Sequence, residues 1–535
     1  MNHLRPLPSR LIDPAQAAFV PNRSISENVV LAQEIVHSFK NMKRKRGYVG
    51  VKIDFNKAYD KREWSFLEAV LKAFGFNVKV VGLIMQCVSI VQFTLLLNRG
   101  IYSNFKPSRG LRQGDPLSPY LFILGSEILL RLINREVQLG NLMGVKLVVS
   151  APSISKLCCA DDVLLICRAK SNEVRTMMNC ISTYCAWSGQ SINLEKSGIF
   201  YSSGVHAQFK IQVRNLWGLK SLSQSTKYLG IPLFRSCDRK KDFHYLKEKL
   251  EAKMSSWKSK ALSWMACATL IKSVGLAIPS YTMAVIQLPK VLCEEMDSLL
   301  RRFWWAPKKE VGHYYAPVSW KKLCTPKNEC GLGFRCFWSL NQASLAKLAW
   351  WVLTKRNSLC VQTLLSKYKV RGNWLNHNSI SSKSWIWKGI ENAKQLLSKG
   401  ACMMVGDGNN ILVWSDPWIP DCEGFIPRSK EDNNSIDCLV VSQLFNPSCT
   451  GWDELKLQSL FGPRDVQAIK RISISTGSLS DCWVWIKSVD GEFSVKSAYW
   501  NTRLESEVRA HDSLRNNIWK SHLHERLKML LCCGE

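Results

Sequence analysis

The chain has 535 residues, is 46% apolar, and carries 73 Lys and Arg against 42 Asp and Glu for a formal charge of +31. That is more chain than one hydrophobic core usually serves, so more than one domain is expected, and a field of this sign attracts polyanions, nucleic acid above all. A membrane partner is not expected: the longest uncharged apolar stretch, 273–289, is short for a bilayer and is interrupted by Pro279, Ser280, Thr282 and Gln287.

In chain order, Met1 to Arg10 holds two prolines and two arginines before any apolar run, which is not a secretory signal. An intracellular protein, of nucleus or cytoplasm, is expected. Residues 26–40 have helical periodicity, with Val29, Val30, Ile35, Val36 and Phe39 apolar. The basic run Lys43-Arg44-Lys45-Arg46 reads as a nuclear address, a phosphate contact or a solvated turn. A short buried strand is predicted over 50–55, a helix over 61–74, and a hairpin from 94–98 and 101–105 around Arg99-Gly100. Residues 119–135 are apolar and helical after prolines that suit a helix start. Two strands, 156–160 and 163–167, then meet in a tight turn. The first part of the chain is therefore α/β.

After residue 234 the composition shifts, since eighteen of the 21 tryptophans follow that point. Aromatic and basic surfaces can stack bases and hold phosphates, but most of these rings sit amid Leu, Ile and Ala at helical spacing and read as packing groups. Gly406 to Asn410 is predicted to turn into a strand over 411–414, and Asp490-Gly491 to form a hairpin turn. The 20 cysteines show no paired C-x-x-C spacing, so they read as reduced, mostly buried thiols, with neither a disulfide framework nor a complete zinc site.

Chemistry concentrates at two acidic sites. Asp54 ends the run Val51-Lys52-Ile53, and Asp161-Asp162 lies between Cys158-Cys159-Ala160 and Val163-Leu164-Leu165-Ile166. Carboxylates at strand ends also serve as turn formers or caps. Brought together, however, two such charges ~4 Å apart repel by about 4 kcal/mol at an effective dielectric near 20. A divalent cation is the usual answer.

The ordered series Asp54-Phe55-Asn56-Lys57-Ala58-Tyr59-Asp60, Arg109 to Pro119 (Arg-Gly-Leu-Arg-Gln-Gly-Asp-Pro-Leu-Ser-Pro), Ala160-Asp161-Asp162, Gly189 to Ser197 and Lys227-Tyr228-Leu229-Gly230 resembles motifs A to E of a reverse transcriptase. More narrowly, it resembles the non-LTR (LINE-type) retrotransposon polymerases of plants. Residues 268–274 with 278–281, Gly331 to Phe334 and Phe493 to Tyr499 are further signatures of that family, without an obvious chemical role. The resemblance implies an α/β palm of right-hand polymerase type with partial fingers over 1–234, and a helical thumb and connector over 235–355. It further implies a Trp-rich mixed region over 356–480, and over 481–535 the start of a zinc-binding-type C-terminal domain. It also implies truncation at both ends: the rest of the fingers and an endonuclease would lie upstream, and the zinc ligands beyond Glu535. His522, His524, Cys532 and Cys533 are not taken as a ligand set.

The function implied is RNA-directed DNA synthesis with an RNA template, a DNA primer, deoxynucleoside triphosphates and two Mg²⁺ ions, Mn²⁺ being the substitute. Asp54, Asp161 and Asp162 would be the catalytic and metal-binding acids, with the Phe55 carbonyl assisting. Tyr59 would sit beneath the incoming sugar and exclude a ribose 2′-hydroxyl. Arg112, Gln113 and Gly114 would position nucleotide and template, Lys196 would donate a proton to leaving pyrophosphate, and Tyr228, Leu229 and Gly230 would form the primer grip. The alternative is a catalytically inactive nucleic-acid-binding remnant of such an element. Cys158-Cys159 departs from the aromatic residues that commonly precede the Ala-Asp-Asp motif, which alters packing beneath the acids.

Overall fold

A computed structural model describes residues 7–42, 47–236, 238–258, 262–306, 312–329, 331–370, 372, 374–376, 383–430, 439–448, 450–474 and 479–502. The basic run 43–46 and the residues His522, His524, Cys532 and Cys533 lie outside these. The backbone divides into two units, 1–235 with 357–367, and 236–356 with 368–535.

The first unit contains β1 (Tyr48–Ile53), β2 (Phe93–Leu97), β3 (Gly100–Phe105), β4 (Lys156–Cys159), β5 (Asp162–Arg168) and β6 (Gly198–Tyr201). Four of these form one antiparallel sheet in the order β4-β5-β1-β6. Its central strand is covered on both sides. Val49, Val51 and Ile53 pack against Leu67 and Leu71 of helix Trp64–Ala73, Leu121 and Leu129 of helix Ser118–Gln138, and Met177 and Ile181 of helix Ser171–Ser188. On the other face Gly50 lies directly under the Phe200 ring, where a Cβ would come within 2.2 Å of ring carbon. Phe200 in turn meets Phe39 of helix Ile25–Asn41 with centroids 5.6 Å apart. Each fully buried Leu, Ile or Phe in such a core contributes about 1.5–3 kcal/mol.

The sequence-predicted elements of this unit are present, with shifted bounds. The β2–β3 turn is made by Asn98 (φ 49°) and Arg99 (φ 69°), so Gly100 already belongs to β3. Helices Val78–Ser89 and Ser171–Ser188 and strand β6 join them. Residues 14–18 lie along β4. Gln16 bridges Cys158 in parallel, Cys158 N–H donates to Ala15 O at 2.9 Å, and Ala17 N–H to Cys158 O at 3.0 Å.

The second unit is mainly helical. Helix Trp264–Leu270 runs into a π turn, Ile271–Gly275, and is followed by helices Lys290–Trp305, Phe337–Leu353 and Trp385–Asn392. Trp304, Trp387, Trp418 and Trp485 are buried, and Trp387 stacks on Tyr368 at 4.1 Å, so these rings pack. Two expectations fail here. Residues 411–414 form no strand, and only Leu412 makes an isolated bridge, to Val440. Asp490-Gly491 closes no hairpin: Trp485 N–H donates to Gly491 O at 2.7 Å, while the partner of strand Cys482–Trp485 is the distant Ala401–Met404. A periodic pattern cannot distinguish a local strand pair from a non-local one. Among the described residues no helix is long and apolar enough to cross a membrane.

Candidate active site

The antiparallel register of β1 and β5 pairs Ile53 with Val163, which brings Asp54, one residue on, to the edge where Asp162 begins β5. Cys159 pairs with Asp162, so β4 and β5 turn through Ala160 and Asp161 at that same edge. Ala160 takes φ 55°, and its N–H donates to Gln16 Oε1 at 3.0 Å. Gln16, fully buried beside β4, thus pins the turn that presents Asp161.

The backbone on either side of Asp54 is fastened to the segment 190–197. Asp54 N–H donates to Ser197 Oγ at 3.0 Å, Asn193 N–H to Asp54 O at 2.8 Å, and Asn56 N–H to Ser191 O at 2.9 Å. The resulting bridge between Phe55 and Ile192 leaves the Phe55 carbonyl outside the ladder. Gln190 Nε2 donates to Ala58 O at 2.8 Å. Lys196 lies exposed in the turn closed by this bracket, its N–H directed at Asn193 Oδ1 at 3.3 Å.

Burial pushes the Asp161 carboxyl above its ordinary range, and the charges of Asp162 and Asp54 push it the same way. Asp162 already has a cation: its Oδ1 lies 3.0 Å from Lys52 Nζ, on a lysine that is almost fully buried. Asp54 follows β1 directly, two residues after Lys52, so the alternation of the strand puts both on one face. Among the described residues no group of three His, Cys, Asp or Glu side chains that could hold a metal ion is formed. The donor set itself suits a hard divalent ion: all-oxygen ligands whose mutual repulsion a cation relieves. The two preceding thiols are not competing ligands. Burial, then the two aspartates, push Cys159 up to about 12, and burial pushes Cys158 higher.

Tyr59 stacks on Phe122 with centroids 4.5 Å apart and planes 5° from parallel. Burial raises its hydroxyl, and the charge of Asp161 adds to this. The ring therefore packs on helix Ser118–Gln138 while standing near the acids. The loop carrying Arg109 to Asp115 leans on the residues that follow Tyr59. Leu111 N–H donates to Tyr59 O and Gly110 N–H to Arg62 O, both at 2.8 Å. A Cβ on Gly110, whose φ is +93°, would meet Asp60 O at 2.6 Å. Arg109 pairs with Glu63 at 3.1 Å and Arg112 with Asp115 at 2.9 Å. Arg112 and Gln113 line a cavity of 440 Å³ together with Asp60, Phe93 and Phe105. Gly114 (φ +90°) is exposed, with nothing within 4 Å of where a Cβ would sit.

Tyr228, Leu229 and Gly230 form a tight hairpin between Lys227–Tyr228 and Ile231–Pro232, with Leu229 at φ 48° and Gly230 at φ 77°. Gln33 Nε2 holds it to helix Ile25–Asn41 through Pro232 O at 2.6 Å. The structure thus gathers Asp54, Asp161, Asp162 and Tyr59 and joins Arg112 to Gly114 to them through Leu111. Lys196 is reached through its turn, and the hairpin is anchored separately.

Sequence reasoning did not single out Lys52, Gln16, Ser197 or Arg62. A lysine two residues before Asp54 in an apolar strand was a usable signal for Lys52. Arg62 gave none, yet it is fully buried: Nη1 donates to Tyr184 Oη at 2.6 Å, Nη2 to Ser126 Oγ at 3.1 Å, and its Cζ lies 4.8 Å from the Phe122 centroid.

Residues 1–233 match the family model described as reverse transcriptase (RNA-dependent DNA polymerase). A protein of Arabidopsis thaliana named as a ribonuclease H protein is 31% identical over 311 residues, covering 56% of this chain and 49% of that one. An uncharacterized mitochondrial protein of the same plant is 33% identical over 150 residues, covering 27% of this chain and 95% of its own length. The Pol polyprotein of a type-1 retrotransposable element R2 from Nasonia vitripennis is 30% identical over 162 residues, 30% of this chain and 15% of that polyprotein. The chain spans about half the length of the first of these relatives.

Proposed function

This chain belongs to the reverse transcriptases of plant non-LTR retrotransposons, and we propose that it extends a DNA primer on an RNA template from deoxynucleoside triphosphates. The observation that carries this is the β1–β5 register, which puts Asp54 beside Asp162 with Asp161 next in the turn. Asp54 and Asp161 would be the principal metal ligands, with Asp162, already paired to Lys52, closing the acidic edge. Two Mg²⁺ ions, or Mn²⁺ in their place, would there supply Lewis-acid stabilisation of the transferring phosphoryl group.

The protein's own groups do the rest. The backbone bracket from Ser197 and Asn193 fixes where Asp54 presents its carboxylate, and such fixing lowers the cost of reaching the reactive geometry. The Tyr59 ring, immobilised on Phe122, occupies the space a ribose 2′-hydroxyl needs. Arg112 and Gln113 face the triphosphate and template from their cavity, and Gly114 allows close backbone approach. Lys196, exposed in its turn, donates a proton to pyrophosphate. The hairpin at Tyr228, Leu229 and Gly230 supports the primer end. Residues 1–234 act as partial fingers and palm, 235–355 as thumb and connector, 356–480 as a Trp-rich mixed region and 481–535 as the start of a C-terminal domain. The setting is inside the cell, in nucleus or cytoplasm.

The alternative is a chain that retains nucleic acid without synthesis. Primer extension on an RNA template with Mg²⁺ separates the two. Extension that disappears in the Asp161→Ala/Asp162→Ala chain supports the polymerase. Equal RNA retention by both chains, with synthesis by neither, supports the remnant.

A further inference from the structure

Arg62 has no part in the motif chemistry, yet it is fully buried among the residues that hold Tyr59. Among the described residues its side chain meets hydroxyls and rings and no carboxylate. Nη1 donates to Tyr184 Oη at 2.6 Å and Nη2 to Ser126 Oγ at 3.1 Å, while Cζ lies 4.8, 5.7 and 5.8 Å from the Phe122, Tyr184 and Phe66 centroids. Its Nε meets no acceptor there. A buried charge without a counter-ion is destabilising, and an apolar side chain of similar length often serves stability as well or better. Stability alone therefore does not account for arginine at this position.

The contacts converge on one ring. Phe122 stacks on Tyr59 at 4.5 Å, and the guanidinium stands over that same Phe122 ring. Ser126, one turn further along helix Ser118–Gln138, accepts from Arg62 and donates to Phe122 O at 2.9 Å. Arg62 thus grips the ring of Phe122 and, through one hydroxyl, its backbone. The helix makes room for this: a Cβ on Gly125 would come within 3.3 Å of Nη1 and 3.4 Å of Cζ. The stem of Arg62 is fixed as well, since Gly110 N–H donates to its carbonyl at 2.8 Å and Glu63 N–H to Ser188 O at 3.1 Å.

We propose that Arg62 is a positioning residue for sugar selection: by clamping Phe122 it holds the Tyr59 ring where an incoming ribose 2′-hydroxyl would have to sit. A planar guanidinium reaches two hydroxyls while lying over a ring, which an ammonium cannot do, so the role belongs to arginine and not to charge alone. The inference rests on the proposed place of Tyr59 beneath the sugar, and its test therefore reads the ring as well as the reaction.

The test compares the full chain with Arg62→Met and Arg62→Lys. In primer extension on RNA, the ratio of kcat/KM for dATP to that for ATP is expected to fall about tenfold in Arg62→Met, and less in Arg62→Lys, which keeps the charge over Phe122 but not the fork. Thermal unfolding of Arg62→Met is expected at the parent temperature or above. A merely structural arginine would instead lower stability and both kcat/KM values together and leave their ratio alone. Nitration of Tyr59 by tetranitromethane, read by peptide mass spectrometry without nucleotide, metal or template, should be faster in Arg62→Met than in the parent. A parent chain that extends no primer contradicts the polymerase reading, and the nitration rates still decide whether Arg62 holds the ring. An unchanged ratio, or unchanged nitration, in folded Arg62→Met overturns the proposal. If Arg62→Met does not fold, Ser126→Ala, which severs the link to the Phe122 carbonyl, decides the matter by the same two readouts.

Discussion

The amide of Asp54 donates to the Ser197 hydroxyl at 3.0 Å, and that hydroxyl lies 3.4 Å from the Asp54 carbonyl. One buried side chain, 143 residues away in sequence, thus grips both sides of the peptide that carries the first acid. Ser197→Ala strands the Asp54 N–H and should cost about 1–2 kcal/mol of stability. Turnover should fall while the nucleotide KM holds, since the change affects where the carboxylate points more than how nucleotide docks. Thermal unfolding and steady-state kinetics check this, and wild-type turnover in a folded variant would contradict it.

Tyr59 depends on Phe122 for its position. Tyr59→Val should admit ribonucleotides, lowering discrimination by about tenfold to a hundredfold, or about 1–3 kcal/mol. Phe122→Leu should do the same to a lesser degree, because the ring loses its stacking partner but keeps its bulk, at a stability cost of about 1 kcal/mol. Competition between ATP and dATP opposite one template base measures both.

Gly110→Ala places a methyl group 2.6 Å from Asp60 O on a backbone at φ +93°. The strain of about 1–3 kcal/mol can be relieved only by moving the loop that carries Arg112 and Gln113. Nucleotide KM should therefore rise more than kcat falls, the opposite signature to Ser197→Ala.

Burial raises the Glu127 carboxyl from its ordinary 4.5 to about 6. Because the folded chain holds this proton more tightly than the unfolded one, the contribution is fully present below about 4.5 and is lost as pH rises through about 6. The shift corresponds to about 2 kcal/mol. Glu127→Gln, which mimics the neutral form, should gain stability relative to the parent as pH goes from 5 to 7.5. Parallel stability curves for the two would contradict this.

The sheet and its acids were legible because their signals are local. A short apolar strand ending in Asp54 and two apolar runs flanking Asp161-Asp162 specify strands and their edges, and turn chemistry places a hairpin around Arg99-Gly100, one residue beyond the observed turn at Asn98 and Arg99. What escaped depends on distant partners. Strand β6 is four residues long and is defined by pairing with β1. Gln16 matters only because it reaches Ala160, and Lys52 because Asp162 begins the neighbouring strand. Arg62 is buried against the usual rule for arginine, and its hydroxyl partners, Tyr184 and Ser126, come from two helices beyond residue 117. The predicted strand at 411–414 fails for the same reason in reverse: its pattern was right, but only Leu412 bridges a partner.

The most direct test of the acidic edge is Mg²⁺-dependent addition of one deoxynucleotide to a primer on RNA, measured beside RNA affinity for the parent and Asp161→Asn. The expected result is unchanged affinity with addition reduced about a thousandfold, equivalent to about 4 kcal/mol of transition-state stabilisation. Addition by Asp161→Asn at the parent rate, or by the parent with all divalent metal chelated, would contradict the account.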